Sequence, residues 1–211
     1  MLFWQVQCRV LGHTISKNGL SLDHRKTTTI EQMKAPSTRR GMSFLELAGY
    51  YRRFIYAFAQ IALLLTKLVK KEVQWEWLHD QDKAFRDLKL ALQLAPVLQL
   101  PNFAIPFTIT TDASGCCMGG VLSQITNGED HPIAFYSKKF GLHEQAWPSH
   151  EQELLAIKTS LSKWRHYLHG RSFDVFTDNN ACRWMFHQPM VTQKLARMLT
   201  FFHNSTLRCI M

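Results

Sequence analysis

The chain has 211 residues, 46% of them apolar, with a formal net charge of +9 and a pI near 9.5. That much apolar material excludes a disordered tail and suffices for one large domain or two small ones, while the basic balance favours a polyanionic partner such as nucleic acid. The opening MLFWQVQCRVLG is too short and interrupted to span a membrane and has no cleavage-site pattern, so an intracellular chain, cytoplasmic or nuclear, with no membrane partner is expected. Five cysteines, including the adjacent Cys116 and Cys117 and no Cys-x-x-Cys pair, point to reduced thiols rather than a disulfide frame or zinc ribbon.

Residues 2–10 read as a strand, after which Gly12, Asn18 and Gly19 mark turns in HTISKNGLSL. Asp23 is placed to cap a helix running to Lys34, and Pro36 stops it because proline holds its predecessor away from helical angles. A second helix is expected from Ser43 (SFLELAGYYRRFIYAFAQ), with Leu47, Tyr50 or Tyr51, Phe54 and Phe58 at helical spacing. Arg52 and Arg53 interrupt its aromatic run. The mixture suits a base-stacking, phosphate-tracking surface, and it also suits a buried aromatic face with two solvated arginines. The apolar run 61–69 ends in Lys70 and Lys71, and Trp75 and Trp77 precede a helix over 79–94 with Phe85, Leu88 and Leu92 inward. Pro96, Pro101 and Pro106 then break the helical period, which places a domain boundary near residue 100 and divides the chain into 1–100 and 101–211.

The segment FTITTDASGCCMGGVLSQ alternates apolar and polar residues. It predicts a strand with Phe107, Ile109 and Thr111 on one face, ending in Asp112, then an antiparallel return over 118–122 with Gly115, Gly119 and Gly120 near the bend. Residues 132–140 read as a third strand after an Asn127-Gly128 turn. Ser149 is placed to cap a long helix whose Leu154, Ile157, Leu161, Trp164 and Leu168 form one buried stripe, stopped by Gly170. Residues 173–177 form a fourth strand ending in Asp178, short helices are expected around 181–187 and 191–203, and 206–211 start a fifth strand.

A carboxylate buried in a sheet costs several kcal/mol unless paired, and a divalent cation is the commonest reason to keep one there. Asp-x-Ser-Gly also caps turns, so Asp112 alone leaves both readings open. Two further acids, Glu153 in the first turns of the long helix and Asp178 at the end of strand four, shift the balance. If strand four lies beside strand one with the helix across both, the aspartates share a sheet edge and Glu153 faces them. Three such acids repel one another unless a cation neutralises them. Hard oxygen ligands suit Mg²⁺ or Mn²⁺, two of which about 4 Å apart serve phosphodiester hydrolysis. The other reading is three unrelated surface acids among the sixteen present.

With LGHTISKNGLSLDHRK, FLELAGYYRRFI, AQIALLLTKLVKK, WEW and KAFRDLKLALQLAPVLQLPNFAIPF in order, followed by TDASGCCMGGVLSQ, HPIAFYSKK, EQELLAIKTSLSKWRHYLHG and FTDNNACRWM, the chain resembles the C-terminal part of a gypsy-type long-terminal-repeat retrotransposon reverse transcriptase. The resemblance runs from Leu11 onward. It implies a mostly helical thumb and connection over the first hundred residues, which grip template-primer. It implies an α/β, ribonuclease H-like mixed sheet with flanking helices beyond, which cuts RNA in RNA–DNA hybrids with Mg²⁺ or Mn²⁺. On it, Asp112, Glu153 and Asp178 match the first three catalytic and metal-binding acids, with Glu151 ranked behind Glu153. Nucleic-acid contact falls to Arg39, Arg40, Tyr51, Arg52, Arg53, Lys70 and Lys71, with Lys67 beside them. The implied partners are RNA–DNA hybrid or template-primer and separate polymerase or integrase modules of the same element. Fingers, palm and the family's fourth acid are not in this sequence, so the expectation is a chain truncated at both ends, with no polymerase site and impaired hydrolysis. A non-catalytic nucleic-acid-binding module and an inactive transposon remnant are the alternatives.

Overall fold

A computed structural model describes residues 7–177 and the backbone of 206–210. The chain divides into two compact units, Met1–Leu100 and Pro101–Met211.

The first unit opens with a three-stranded antiparallel sheet of β1 (Gln7–Val10), β2 (His13–Ser16) and β3 (Gly19–Leu22), in that order. Sequence patterning read β2 and β3 as turns, because four-residue strands rich in Thr and Ser show little alternation. A distant contact fixes them instead: Leu20 and Leu98 exchange both backbone hydrogen bonds, at 2.7 and 2.8 Å. Gly19 permits that approach, since it has φ +127° and a Cβ there would lie 2.2 Å from the Leu98 carbonyl oxygen. The expected helix follows as α1 (His24–Gln32), with the Asp23 carboxylate accepting from the Arg25 N–H at 3.0 Å. Its far end is closed by Lys89 Nζ, which donates to the carbonyls of Glu31 and Met33.

The single helix expected from Ser43 is broken in three. It comprises α2 (Ser43–Tyr50), a 3₁₀ turn (Arg52–Phe54) and α3 (Phe58–Ile61), with Ala57 left-handed at φ 51°. Tertiary contacts override helical propensity here. The Tyr50 and Tyr51 hydroxyls donate to the Leu11 and Gly12 carbonyls at 2.8 and 3.1 Å, and Phe54 stacks on His13 with ring centroids 5.4 Å apart. Two further helices, α4 (Leu63–Leu68) and α5 (His79–Gln93), complete the unit; α5 buries Phe85, Leu88 and Leu92 as expected.

His13 sits between Tyr50 and Phe54 with Tyr51 edge-on, and its Nδ1 is buried without a hydrogen-bond partner. Burial, and then the Arg53 guanidinium, hold its pKa below the ordinary 6.5. The neutral ring therefore contributes stability in full above 6.5, and that contribution fades as pH falls from 6.5 through the folded-state value. Thermal melts should show the first unit less stable near about pH 5 than near about pH 7.5, and His13→Phe should flatten that difference.

The second unit is built on a five-stranded mixed sheet of order β6-β5-β4-β7-β8. Strands β4 (Phe107–Ser114), β5 (Cys117–Thr126) and β6 (Glu129–Lys139) are antiparallel neighbours, whereas β7 (Ser172–Thr177) and β8 (Thr206–Ile210) run parallel to β4. Asn127 (φ 56°) and Gly128 (φ 84°) make the β5–β6 turn, as the Asn-Gly pair predicts. A short α6 (Leu142–Gln145) leads into α7 (Ser149–Lys163), which packs on β4 and β5 and is followed by α8 (Arg165–Leu168). The stripe of Leu154, Ile157, Leu161, Trp164 and Leu168 is buried throughout, though the chain kinks at Trp164 before Gly170 turns it at φ 71°. The helices expected at 181–187 and 191–203 lie outside the described residues. The loop before β4 is stapled by buried Gln124, whose amide donates to the Asn102 and Ile105 carbonyls and accepts from the Asn102 N–H.

Candidate active site and nucleic-acid surface

The parallel pairing of β4 with β7 sets Thr111 beside Thr177. In α/β sheets the carboxyl ends of adjacent parallel strands are where polar residues gather into sites. Asp112 follows Thr111 at this end. It is exposed, contrary to the expectation of a buried acid, and lies two residues inside β4 rather than at its close. The physical reason is the alternation of the strand: Phe107, Ile109 and Thr111 turn into the core beneath α7, and Asp112 falls on the alternate position.

Glu153 supplies the buried acid. It is 3% exposed in the second turn of α7, and its Oε1 accepts from the Ala113 N–H at 3.2 Å. That bond ties its carboxylate to the backbone of the residue next to Asp112, forty positions away in the chain. Gln152, also buried, fixes the start of the helix by donating to the carbonyls of Glu144 and Gln145 at 3.0 and 3.2 Å. Glu151 belongs to the same first turn and is half-buried. Asp178 lies outside the described residues.

Patterning missed the role of Gly119, read only as a bend glycine. It is the cross-strand partner of Asp112, and a Cβ built on it meets nothing nearer than the Tyr136 carbonyl oxygen at 4.0 Å. Cross-strand partners share a face of the sheet, so the absent side chain keeps the space beside Asp112 open. Asp112 and Glu153 offer oxygen donors alone, which matches a hard divalent ion rather than zinc or copper. Among the described residues no set of three or more His, Cys, Asp or Glu side chains is gathered for a metal.

The basic residues of the first unit sort differently. Arg40, Arg52, Arg53, Lys67, Lys70 and Lys71 are exposed. Arg39 is half-buried and its Nη2 donates to the Val73 carbonyl, which joins the Arg39–Gly41 turn to the Lys70–Val73 turn and commits that guanidinium to structure. Arg52 and Arg53 are exposed and lie over the rings of Phe58 and Phe54 at 5.5 and 6.0 Å. Tyr51 corrects an expectation. It is 1% exposed, its hydroxyl is given to Gly12, and burial is the main cause raising its pKa, so its ring is core and not a stacking surface. The exposed ring is Tyr50, at 52%. No helix among the described residues is long and apolar enough to cross a membrane.

Residues 77–175 match the family described as the RNase H-like domain found in reverse transcriptase. The chain is 36% identical over 200 residues to the retrovirus-related Pol polyprotein from transposon 412 of Drosophila melanogaster, covering 93% of this chain and 16% of the relative. It is 33% identical over 181 residues to the transposon Tf2-3 polyprotein of Schizosaccharomyces pombe, covering 84% and 14% respectively. The chain thus spans less than a fifth of the length of these relatives. Among solved structures it is similar to a foamy viral protease-reverse transcriptase bound to double-stranded DNA (TM-score 0.82, 19% identity, 97% of this chain and 37% of that one). It is also similar to a foamy viral protease-reverse transcriptase bound to RNA/DNA hybrid (TM-score 0.78, 19% identity, 97% and 29%).

Proposed function

The chain belongs with the retrotransposon Pol polyproteins and carries the RNase H-like domain found in reverse transcriptase, and from that premise we propose that it hydrolyses the RNA strand of RNA–DNA hybrids with divalent metal. The observation that carries the reading is the Glu153 carboxylate held on the Ala113 N–H beside Asp112. Asp112, Glu153 and Asp178, which follows Thr177 in sequence, are the residues that would hold Mg²⁺ or Mn²⁺. When bound, the metal supplies an activated water and charge stabilisation at the departing oxygen. The chain's own contribution is placement. Burial and the backbone donor fix the Glu153 rotamer, so that little reorganisation remains at the moment of reaction. Asp112 stands open to solvent across from Gly119, where an ion held on its oxygens would meet the backbone of a bound strand. The foamy viral relative in fold, bound to RNA/DNA hybrid, supports that substrate.

We infer further that the first unit grips the same duplex through Arg40, Arg52, Arg53, Lys70 and Lys71, and that polymerase and integrase modules of the element work alongside. Incubation of the protein with a hybrid labelled on either strand tests the proposal. The expected result is cleavage of the RNA strand alone, dependent on added Mg²⁺ or Mn²⁺ and abolished by EDTA. Equal cutting of both strands, or RNA loss indifferent to chelation, would contradict it.

A further inference from the structure

A closed ring of hydrogen bonds joins the turn after Asp112 to the helix that carries Glu153. From β4, the Ala113 N–H reaches Glu153 Oε1 at 3.2 Å. The preceding side chain on α7, Gln152, donates from Nε2 to the carbonyls of Glu144 and Gln145 in α6, at 3.0 and 3.2 Å. Gln145 in turn donates its own Nε2 to the Phe140 carbonyl at 3.0 Å, and the Phe140 N–H donates to the Cys116 carbonyl at 2.9 Å. Cys116 lies three residues after Ala113, in the turn that Ser114 braces by donating its hydroxyl to the Cys117 carbonyl at 3.2 Å. The circuit closes there.

We propose that Gln152 and Gln145 are positioning residues for the Glu153 carboxylate, a role that rests on reading Asp112 and Glu153 as metal ligands. Phe140 and Trp147 anchor the ends of the intervening segment against the core, but α6 between them is four residues long and buries none of them. Neither helical cooperativity nor apolar burial aims its carbonyls, so the two amides do. The start of α7 needs the same help. Its N-cap is Pro148 rather than Ser149, and no side-chain hydrogen bond closes its first turn. Glu153 follows one residue after Gln152, where fraying of that turn would release it. Neither amide touches ion or substrate. Together they hold the Asp112 turn and the α7 start as one piece, so that Glu153 meets a dication already ordered.

Mn²⁺ binding to the full chain, read from the electron paramagnetic resonance of the free ion, tests this without any turnover. Gln152→Leu and Gln145→Leu keep bulk and remove the amide, and each should weaken Mn²⁺ by about 10- to 100-fold, the range for losing a partner behind a metal ligand. Because both break one circuit, the double variant should be no more than about 2-fold weaker than the worse single one. Leu161→Val trims a buried side chain of the same helix outside the ring. It should lower the melting midpoint yet leave Mn²⁺ affinity within about 2-fold of the parent, which separates positioning from stability alone. If Gln152→Leu fails to fold, the half-buried Gln145 carries the test. Unchanged affinity in the glutamine variants, losses that simply add, or an equal loss in Leu161→Val would overturn the proposal while parental binding persists. A parent that binds no Mn²⁺, or binds it undiminished after Asp112→Asn, removes the metal reading itself and this proposal with it.

Discussion

Asp112→Asn is expected to lower hybrid cleavage by at least about 10³-fold while shifting the thermal midpoint by no more than about 2 °C. The substitution keeps size and shape and removes one negative charge from an exposed position, where changes rarely exceed about 0.5 kcal/mol in stability. Catalysis by placed charge has no such tolerance. A neutral amide is a poor ligand for a hard dication, and the ion's position is what the reaction depends on. Rates on a labelled hybrid, with circular dichroism melts alongside, check both halves. A variant that cuts within about 10-fold of the parent would remove Asp112 from the site.

Trp164→Ala is expected to cost the second unit about 3–5 kcal/mol, the range for emptying a buried tryptophan site. Trp164 is 3% exposed at the kink that ends α7, edge-on to Tyr136 at 6.3 Å. It fills the slot left by Gly120, where an added Cβ would lie 3.3 Å from the indole and 2.5 Å from Ser160 Oγ. The glycine and the tryptophan are therefore one fitted pair across the sheet–helix interface, and truncating the large member leaves a void that Gly120 cannot help to close. Urea denaturation followed by far-ultraviolet circular dichroism would register the loss. A change below about 1 kcal/mol would mean that α7 does not depend on this contact.

Much of the second unit was legible because its signals are local. The alternation from Phe107, the Asn127-Gly128 turn and the helical stripe from Leu154 to Leu168 each name an element without outside help. The first unit hid more of itself. The β2–β3 hairpin depends on Leu98, seventy-eight positions after Leu20, and the break after Tyr50 depends on hydroxyl bonds to Leu11 and Gly12, neither of which any window around those residues contains. At the site, residue identity pointed to Asp112 and Glu153, yet the burial expected of Asp112 belongs to Glu153: the strand acid is open and the helix acid is buried. Strand position says which face a side chain takes, but what covers that face is a tertiary fact. Tyr51 failed for a related reason. Tyr50 and Tyr51 are adjacent, both fit the helical spacing, and only the position of the Gly12 turn decides which ring goes inside.

In the proposed site Asp112, Glu153 and Asp178 hold one cation together. A crystal structure of the protein grown with Mn²⁺, with the ion located by its anomalous signal, tests it most directly. Manganese is expected on carboxylate oxygens of Asp112, Glu153 and Asp178 at about 2.0–2.3 Å. Manganese elsewhere on the protein, or an Asp178 carboxylate turned away from the other two, would contradict it.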